Sequence, residues 1–230
     1  MDVILFFFYK TMLITFIFYW LTISFWYLCD IYLDSKYRIN GEINWRLYKK
    51  SAVYSVLMQL TITPIVLYYM VPVWKWRGLD ISYDNFITIE TLTKLIICPF
   101  ISEFVFFYTH KLCHNRYIYI KIHKIHHEWI IPCAVSASYS HPLEYIFCSL
   151  PTFILPPFIT NLNGYAIQIW FVLASISVIN SHSESISVRV GTVDFGTIGV
   201  DESVTFEISG AGQHDVLVND VNEFTIDLPV

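Results

Sequence analysis

The fold-determining stretch is residues 110–127, which reads His110-Lys-Leu-Cys-His114-Asn-Arg-Tyr-Ile-Tyr-Ile-Lys-Ile-His123-Lys-Ile-His126-His127. Residues four apart on a helix project from the same face about one turn apart, so His110 and His114 can direct two imidazoles at one metal ion. His123, His126 and His127 repeat this arrangement with spacings of i, i+3 and i+4. Five nitrogen donors are too many for one tetrahedral zinc ion, so the pattern predicts a binuclear centre between two facing helices.

The chain on either side of the histidines is more apolar than an ordinary soluble domain. Hydrophobic residues make up 55% of it, and the mean hydropathy is +0.52. A helix needs about 20 apolar residues to cross a bilayer. Four blocks meet or approach this requirement, and the last is long enough for a helical hairpin: 11–29, 52–74, 86–108 and 143–179. The sequence therefore predicts a mainly α, multi-pass transmembrane bundle.

The basic residues predict which way the chain crosses. The polar stretch 30–50 holds five of them, and such loops face the cytosol under the positive-inside bias. Counting crossings from there places every histidine up to His182 at the cytosolic side. The third block is less clean because it contains Glu90, Lys94 and Glu103. Charges within a span usually mark a bundle interior or a site. Glu103 precedes His110 by two helical turns, so we expect its carboxylate beneath that imidazole.

The chain changes character after His182. Residues 183–230 hold nine acids and one base, whereas residues 1–182 hold ten acids and 13 bases. Alternating apolar and polar residues at 186–190, 203–208 and 224–228 are typical of strands. We therefore expect three parts: amino-terminal helices with a cytosolic loop (1–85), a histidine-box domain (86–182), and a short acidic tail that is β-rich or disordered (183–230).

Three motifs together resemble the fatty acid hydroxylase and sterol desaturase superfamily. They are His110-x3-His114, His123-x2-His126-His127-Glu128-Trp129 and Tyr139-Ser-His141-Pro142-Leu-Glu144. The similarity covers residues 99–183, and it is greatest to fatty acid hydroxylase domain-containing proteins and methylsterol monooxygenases. The amino-terminal spans agree with these proteins only in character.

The resemblance implies two non-haem iron ions and their ligands. The implied ligands are His110, His114, His123, His126, His127 and, from the position after the hairpin, His182. His141 would lie in the outer shell or face the substrate, although it could equally cap the helix that begins at Pro142. Glu128 and Glu144 could hold the far ring nitrogens of ligand histidines, or could simply be solvated.

The sequence departs from the superfamily after His182, where Glu184-Ser185 replaces Gly-Tyr and no closing His-x2-His-His box follows. His214 lies where the sequence is faintly similar to that box, and a lone histidine is usually just a polar residue at the surface. The resemblance implies an oxygenase in the endoplasmic reticulum membrane that hydroxylates a sterol or fatty-acyl lipid with electrons from a separate reductase system. The alternatives are an inactive membrane scaffold and a chain with a different authentic carboxy terminus. No pattern indicates nucleic acid binding, because the basic residues follow membrane boundaries.

Overall fold

The computed structural model describes residues 3–32, 43–82, 88–130 and 132–183, together with four short strands between residues 204 and 224. The chain divides into two compact units, Met1–Ser187 and Val188–Val230. The first unit contains every described helix: α1 (Val3–Tyr32), α2 (Trp45–Trp76), α3 (Ile89–Cys113), α4 (Arg116–Lys121), α5 (Pro142–Glu144), α6 (Leu150–Thr160) and α7 (Gly164–His182). A π turn, Tyr145–Ser149, joins α5 to α6.

Within the described residues, five helical stretches are long and apolar enough to cross a membrane. They are α1, α2, α3, the stretch Pro142–Thr160 and α7. These helices extend beyond the predicted apolar blocks at most ends and confirm each block as helical. Glu90 and Lys94, two of the three charges in the third block, form an ion pair of 2.7 Å in the first turns of α3.

Hydrogen bonds between side chains fix the directions of the helices. Gln168 donates to Thr11 near the start of α7 and α1, and Trp26 donates to Asn180 near their ends. The two helices therefore run parallel. α2 runs antiparallel to α1, since Trp20 donates to Gln59 while Phe8 packs edge-on against Tyr68.

Three residues in the stretch 161–164 form the turn of the predicted hairpin, between α6 and α7. Asn161 ends α6 in the left-handed conformation (φ 55°), and the side chain of Asn163 accepts a hydrogen bond from Ala166 N at the start of α7. Gly164 lies so close to the preceding loop that a Cβ atom would sit 2.9 Å from the carbonyl oxygen of Ser82. Only glycine permits this approach, which packs the first residue of α7 against the loop that follows α2.

Two buried hydrophobic clusters fill the bundle at different heights. One surrounds Phe7, Trp74 and Phe171, near the end where α1 begins. The other surrounds Tyr19, Tyr139 and Ile179, near the end where α1 and α7 terminate. This second end also carries the carboxy terminus of α3, so it is the end at which the histidines gather.

The second unit contains two antiparallel strand pairs among its described residues. Strand β1 (Val204–Glu207) pairs with β2 (Gln213–Val216), and β3 (Val218–Asn219) pairs with β4 (Glu223–Phe224). β1 lies within the predicted strand 203–208. The predicted strand 186–190 lies outside the described residues, as does all of 224–228 except Phe224.

Candidate metal centre

The first two histidines lie where α3 ends. His110 is in the last turn of the helix and His114 is its C-cap. Their Nε2 atoms are 3.0 Å apart. The predicted i, i+4 convergence is therefore present in the structure.

The second histidine group comes from a 3₁₀ segment, His123–Glu128, and not from the α-helix that its spacing predicts. The short helix α4 reverses the chain between the two groups. A 3₁₀ helix has three residues per turn, so residues i and i+3 eclipse. The His123 and His126 rings accordingly stack at 23°, while His127 turns its Nε2 to within 2.8 Å of the Nε2 of His123.

Four histidines thus form one set, which we call the four-histidine cluster: His110, His114, His123 and His127. One ring nitrogen from each lies within 4.8 Å of the corresponding atoms of the other three. Four convergent lone pairs repel one another unless a cation or protons lie among them. The donor set therefore fits a single divalent metal ion, and imidazole suits iron, zinc, copper and nickel alike.

Glu144 holds one histidine of this cluster through a hydrogen bond. The Nδ1 atom of His123 donates to Glu144 Oε1 over 2.7 Å, and both side chains are buried. A carboxylate on one ring nitrogen fixes the tautomer, orients the ring and makes the other nitrogen a better metal ligand. Glu144 therefore contacts the far ring nitrogen of a candidate ligand, as the first of its two predicted alternatives requires, and it is not solvated.

The remaining two predicted ligands, His126 and His182, form what we call the histidine pair. Their ring centroids are 5.5 Å apart. The Nδ1 atom of His126 donates to the carbonyl oxygen of Tyr139 over 3.0 Å, and that of His182 donates to Val178 over 2.8 Å. In each ring Nδ1 is therefore used by the backbone, and Nε2 is the nitrogen that a metal ion would use.

Two histidines outside the membrane-spanning helices, His126 and His127, are held neutral. Burial, followed by the charges of neighbouring histidines, lowers the pKa of His127 to about 2. Burial and the nearby His182 lower the pKa of His126 to about 4. A metal ion requires neutral imidazole, so neither residue needs to lose a proton at neutral pH.

The other predicted outer residues fall in different surroundings. Glu103 is exposed on α3, and the ring that stacks on His110 belongs to Phe106, with centroids 4.9 Å apart. Glu128 accepts hydrogen bonds from Lys50 and from the Tyr139 hydroxyl, each 2.8 Å long. His141 accepts from Leu143 N as the cap of α5, which is the second of its predicted roles. The backbone of His214 lies in β2.

A cavity of about 140 Å³ opens beside the histidines and extends into the bundle. His110, His126, His182 and Glu144 line one part of it, and apolar side chains such as Leu67 and Phe171 line another. Uncharged polar residues from α1 and α2 also reach it, and the sequence analysis did not single them out: Thr15, Gln59 and Thr63. Gln59 and Thr63 lie four residues apart on α2, and Thr15 is one polar residue of α1. Such a pattern is indistinguishable from that of ordinary buried polar positions.

A family model matches the part of the chain that contains this centre. Residues 95–203 match the model described as fatty acid hydroxylase. This part of the chain is therefore similar to the fatty acid hydroxylase family, in agreement with the resemblance of its histidine motifs. The matched part begins slightly before residue 99 and continues beyond Ser183, where we expected the similarity to end. It contains both the four-histidine cluster and the histidine pair.

Three relatives illustrate how far the fatty acid hydroxylase similarity extends. Fatty acid hydroxylase domain-containing protein 2 of Macaca fascicularis is 36% identical over 50% of this chain and 34% of its own length. A very-long-chain aldehyde decarbonylase of Oryza sativa subsp. indica is 25% identical over 66% of this chain and 57% of its own. Methylsterol monooxygenase 2-2 of Arabidopsis thaliana is 24% identical over 64% of this chain and 56% of its own. The chain thus spans between a third and somewhat over half of these relatives, and no solved structure matches it.

Proposed function

We propose that this chain is a membrane-bound di-iron oxygenase that hydroxylates a sterol or a fatty-acyl lipid in the endoplasmic reticulum membrane. One observation carries the proposal: four imidazole nitrogens converge within 4.8 Å of one another, and His110, one of these ligands, also lines an apolar cavity. A site that faces hydrocarbon is suited to oxidation of an unactivated C–H bond, because hydrocarbon offers little to a hydrolase. The names of the relatives support lipid oxidation as the reaction class.

The residues of the chain prepare the site in three ways. Glu144 fixes the tautomer of His123, and the carbonyl oxygens of Tyr139 and Val178 do the same for the histidine pair. Burial keeps His126 and His127 neutral. The apolar cavity wall excludes water from the reacting carbon. Iron, when bound by these histidines, would supply O2 activation, with electrons from a separate reductase system.

The two parts of the centre are not equally equipped. The four-histidine cluster has enough nitrogen donors for one ion, whereas the histidine pair contributes two to a second. The pair is the observation that favours the alternative function, an inactive membrane scaffold. A second ion would need further ligands from water, from substrate or from residues outside the described part of the chain.

Iron content and lipid profile together test the proposed function. We expect about two iron ions per full-length chain after purification in detergent. Cells that express the chain should contain an oxidised sterol or fatty acid that is absent from cells expressing His123→Ala. His214→Ala is the matched control, because it removes an imidazole from the second unit.

The outcomes separate the two functions. Iron near zero, with identical lipid profiles for wild type and His123→Ala, would leave the scaffold function. Iron near one would mean that the histidine pair holds no ion, and the two-ion part of the proposal would then be wrong.

A further inference from the structure

The cavity contains polar atoms whose hydrogen bonds are not satisfied by the described residues. Buried side-chain oxygens and nitrogens nearly always have a partner, so each exception requires an explanation. Five such atoms occur among the described residues, and three of them belong to residues that line this one cavity: Thr15 Oγ1, Ser140 Oγ and Glu144 Oε2. This concentration indicates that the partners come from a ligand.

Two of these atoms lie at the histidine end, but Thr15 does not. Ser140 is next to Tyr139, whose carbonyl oxygen accepts from His126, and Glu144 contacts His123. A metal-bound group can satisfy both. Thr15 is on α1, one turn above Thr11, which contacts Gln168 on α7. Since α1 and α7 run parallel, Thr15 lies level with Phe171, about 16 Å along α7 from His182 at 1.5 Å per residue.

The surroundings of Thr15 are polar but uncharged. The pairing of Trp20 with Gln59 and of Phe8 with Tyr68 puts Thr15 level with Thr63 on α2. The Thr63 hydroxyl shares a hydrogen bond of 2.9 Å with the hydroxyl of Tyr145. The carbonyl oxygen of Gln59 accepts from Trp20, which leaves the amide NH2 of Gln59 as a donor for a ligand.

The charge of this level of the cavity limits what can bind there. Among the described residues that line the cavity there is no lysine or arginine, and its only carboxylate, Glu144, is at the histidine end. An anionic carboxylate or phosphate buried here would lack a cation, which is costly. A hydroxyl group can both donate and accept, as the hydroxyl of Thr15 can, and carries no charge.

We propose that Thr15, assisted by Gln59, binds the hydroxyl group of a neutral lipid alcohol in the part of the cavity that lies away from the histidines. This inference rests on the proposed function. If the hydroxyl binds at Thr15 and the metal at the histidines, the oxidised carbon lies on the order of 10 Å or more from the substrate hydroxyl. The enzyme would then hydroxylate the end of the lipid remote from its polar group. Neither the family match nor the names of the relatives assign this site, which is formed by helices before residue 95.

Paired lipids with and without a hydroxyl group test the site. The full-length chain in detergent would be titrated with hexadecanol against hexadecane, with cholesterol against cholestane, and with hexadecanoate. We expect about tenfold tighter binding of the alcohol in at least one pair, because an unpaired buried hydroxyl remains when the hydrocarbon binds. The pair that shows the preference identifies the lipid as a fatty alcohol or a sterol.

Substitutions at Thr15 assign the preference to this side chain. Thr15→Val replaces the hydroxyl by a methyl group of similar size, so it should weaken alcohol binding roughly three- to tenfold and leave hydrocarbon binding unchanged. Its melting temperature should not fall, because it removes an unpaired buried hydroxyl. Thr15→Ser should retain the preference. Thr22→Val is the matched control, since Thr22 is a partly exposed residue of the same helix whose hydroxyl donates to the backbone carbonyl oxygen of Phe18.

Three results would overturn the proposal: equal binding of alcohol and hydrocarbon in both pairs, an undiminished preference in Thr15→Val, or tighter binding of hexadecanoate than of hexadecanol. Binding does not require iron, so iron content measured on the same preparations separates the two proposals. Hydroxyl preference without iron would support this site and contradict the proposed function. Iron and oxidised lipid without hydroxyl preference would support the proposed function and contradict the hydroxyl-binding site.

Discussion

The four-histidine cluster and the histidine pair are neighbours, yet the chain builds them differently. The cluster comes entirely from residues 110–127, with Glu144 added from α5. The pair joins the 3₁₀ segment to the end of α7, 56 residues later in the sequence. A local site forms wherever its own turn forms, whereas the pair depends on the packing of α7 against the rest of the bundle. This difference predicts that a substitution in the cluster or in the pair should leave metal binding at the other one unchanged.

The largest effect is expected from removing the histidine at the centre of the cluster. The His123 ring lies within 4.7 Å, centroid to centroid, of those of His110 and His114 and within 4.4 Å of that of His127. His123→Ala should therefore abolish iron binding at the cluster and with it all lipid oxidation. His182→Ala removes half of the pair and should cost at most one ion per chain. Elemental analysis of both variants against His214→Ala makes the comparison, which fails if His182→Ala strips all of the iron.

Glu144→Gln should weaken the cluster without emptying it. The amide can still accept from His123 Nδ1 but no longer carries the negative charge that makes Nε2 a stronger ligand. Substitution of such an outer-shell partner typically costs about 10- to 100-fold in metal affinity. Competition with a chelator measures the loss, and Glu90→Gln, at the opposite end of α3, is the control. Equal weakening of both ions would mean that the two positions are not independent.

The sequence predicted the cluster better than the pair for a physical reason. Spacing along a helix determines which histidines share a face, so His110 and His114 were correctly placed together. It does not reveal that residues 123–128 form a 3₁₀ helix, in which the His126 ring lies 5.5 Å from that of His182. The cavity was not foreseen either, because Thr15 and Gln59 come to line the same cavity as the histidines only through the packing of α1 and α2. Similarly, Phe106, one turn nearer, takes the place beside His110 that was expected for Glu103.

Acidification should destabilise the metal-free protein through both positions. The pKa of His127, in the cluster, is about 2 and that of His126, in the pair, is about 4, whereas the ordinary value is 6.5. Between pH 6.5 and 4 the unfolded chain therefore binds protons that the folded chain does not, and the free energy of unfolding falls as the pH falls. We expect a lower melting temperature at pH 5 than at pH 7.5 in metal-free protein. His127→Asn should reduce this pH dependence, and an unchanged slope would contradict the burial of that ring.

The smallest effect is expected at Glu128, the second carboxylate near the histidines. Glu128 reaches His126 only indirectly, because it binds the Tyr139 hydroxyl while the carbonyl oxygen of the same residue holds His126. Its ion pair with Lys50 is largely exposed, with 57% and 38% of the two side chains accessible, and such pairs contribute little. Glu128→Gln should therefore weaken the second ion by less than about fivefold and leave the cluster unchanged.

Tyr139→Phe tests the same connection from the other side. It removes the hydroxyl that Glu128 accepts from, but it keeps the ring that packs edge-on against Tyr54 at 5.4 Å. Because the carbonyl oxygen that holds His126 belongs to the backbone, it remains in place in both variants. The two substitutions should therefore have the same small effect on the second ion in chelator competition. If either substitution instead weakened metal binding at the four-histidine cluster as strongly as Glu144→Gln does, Glu128 and Glu144 would act on one shared centre. The distinction between the cluster and the pair would then be wrong.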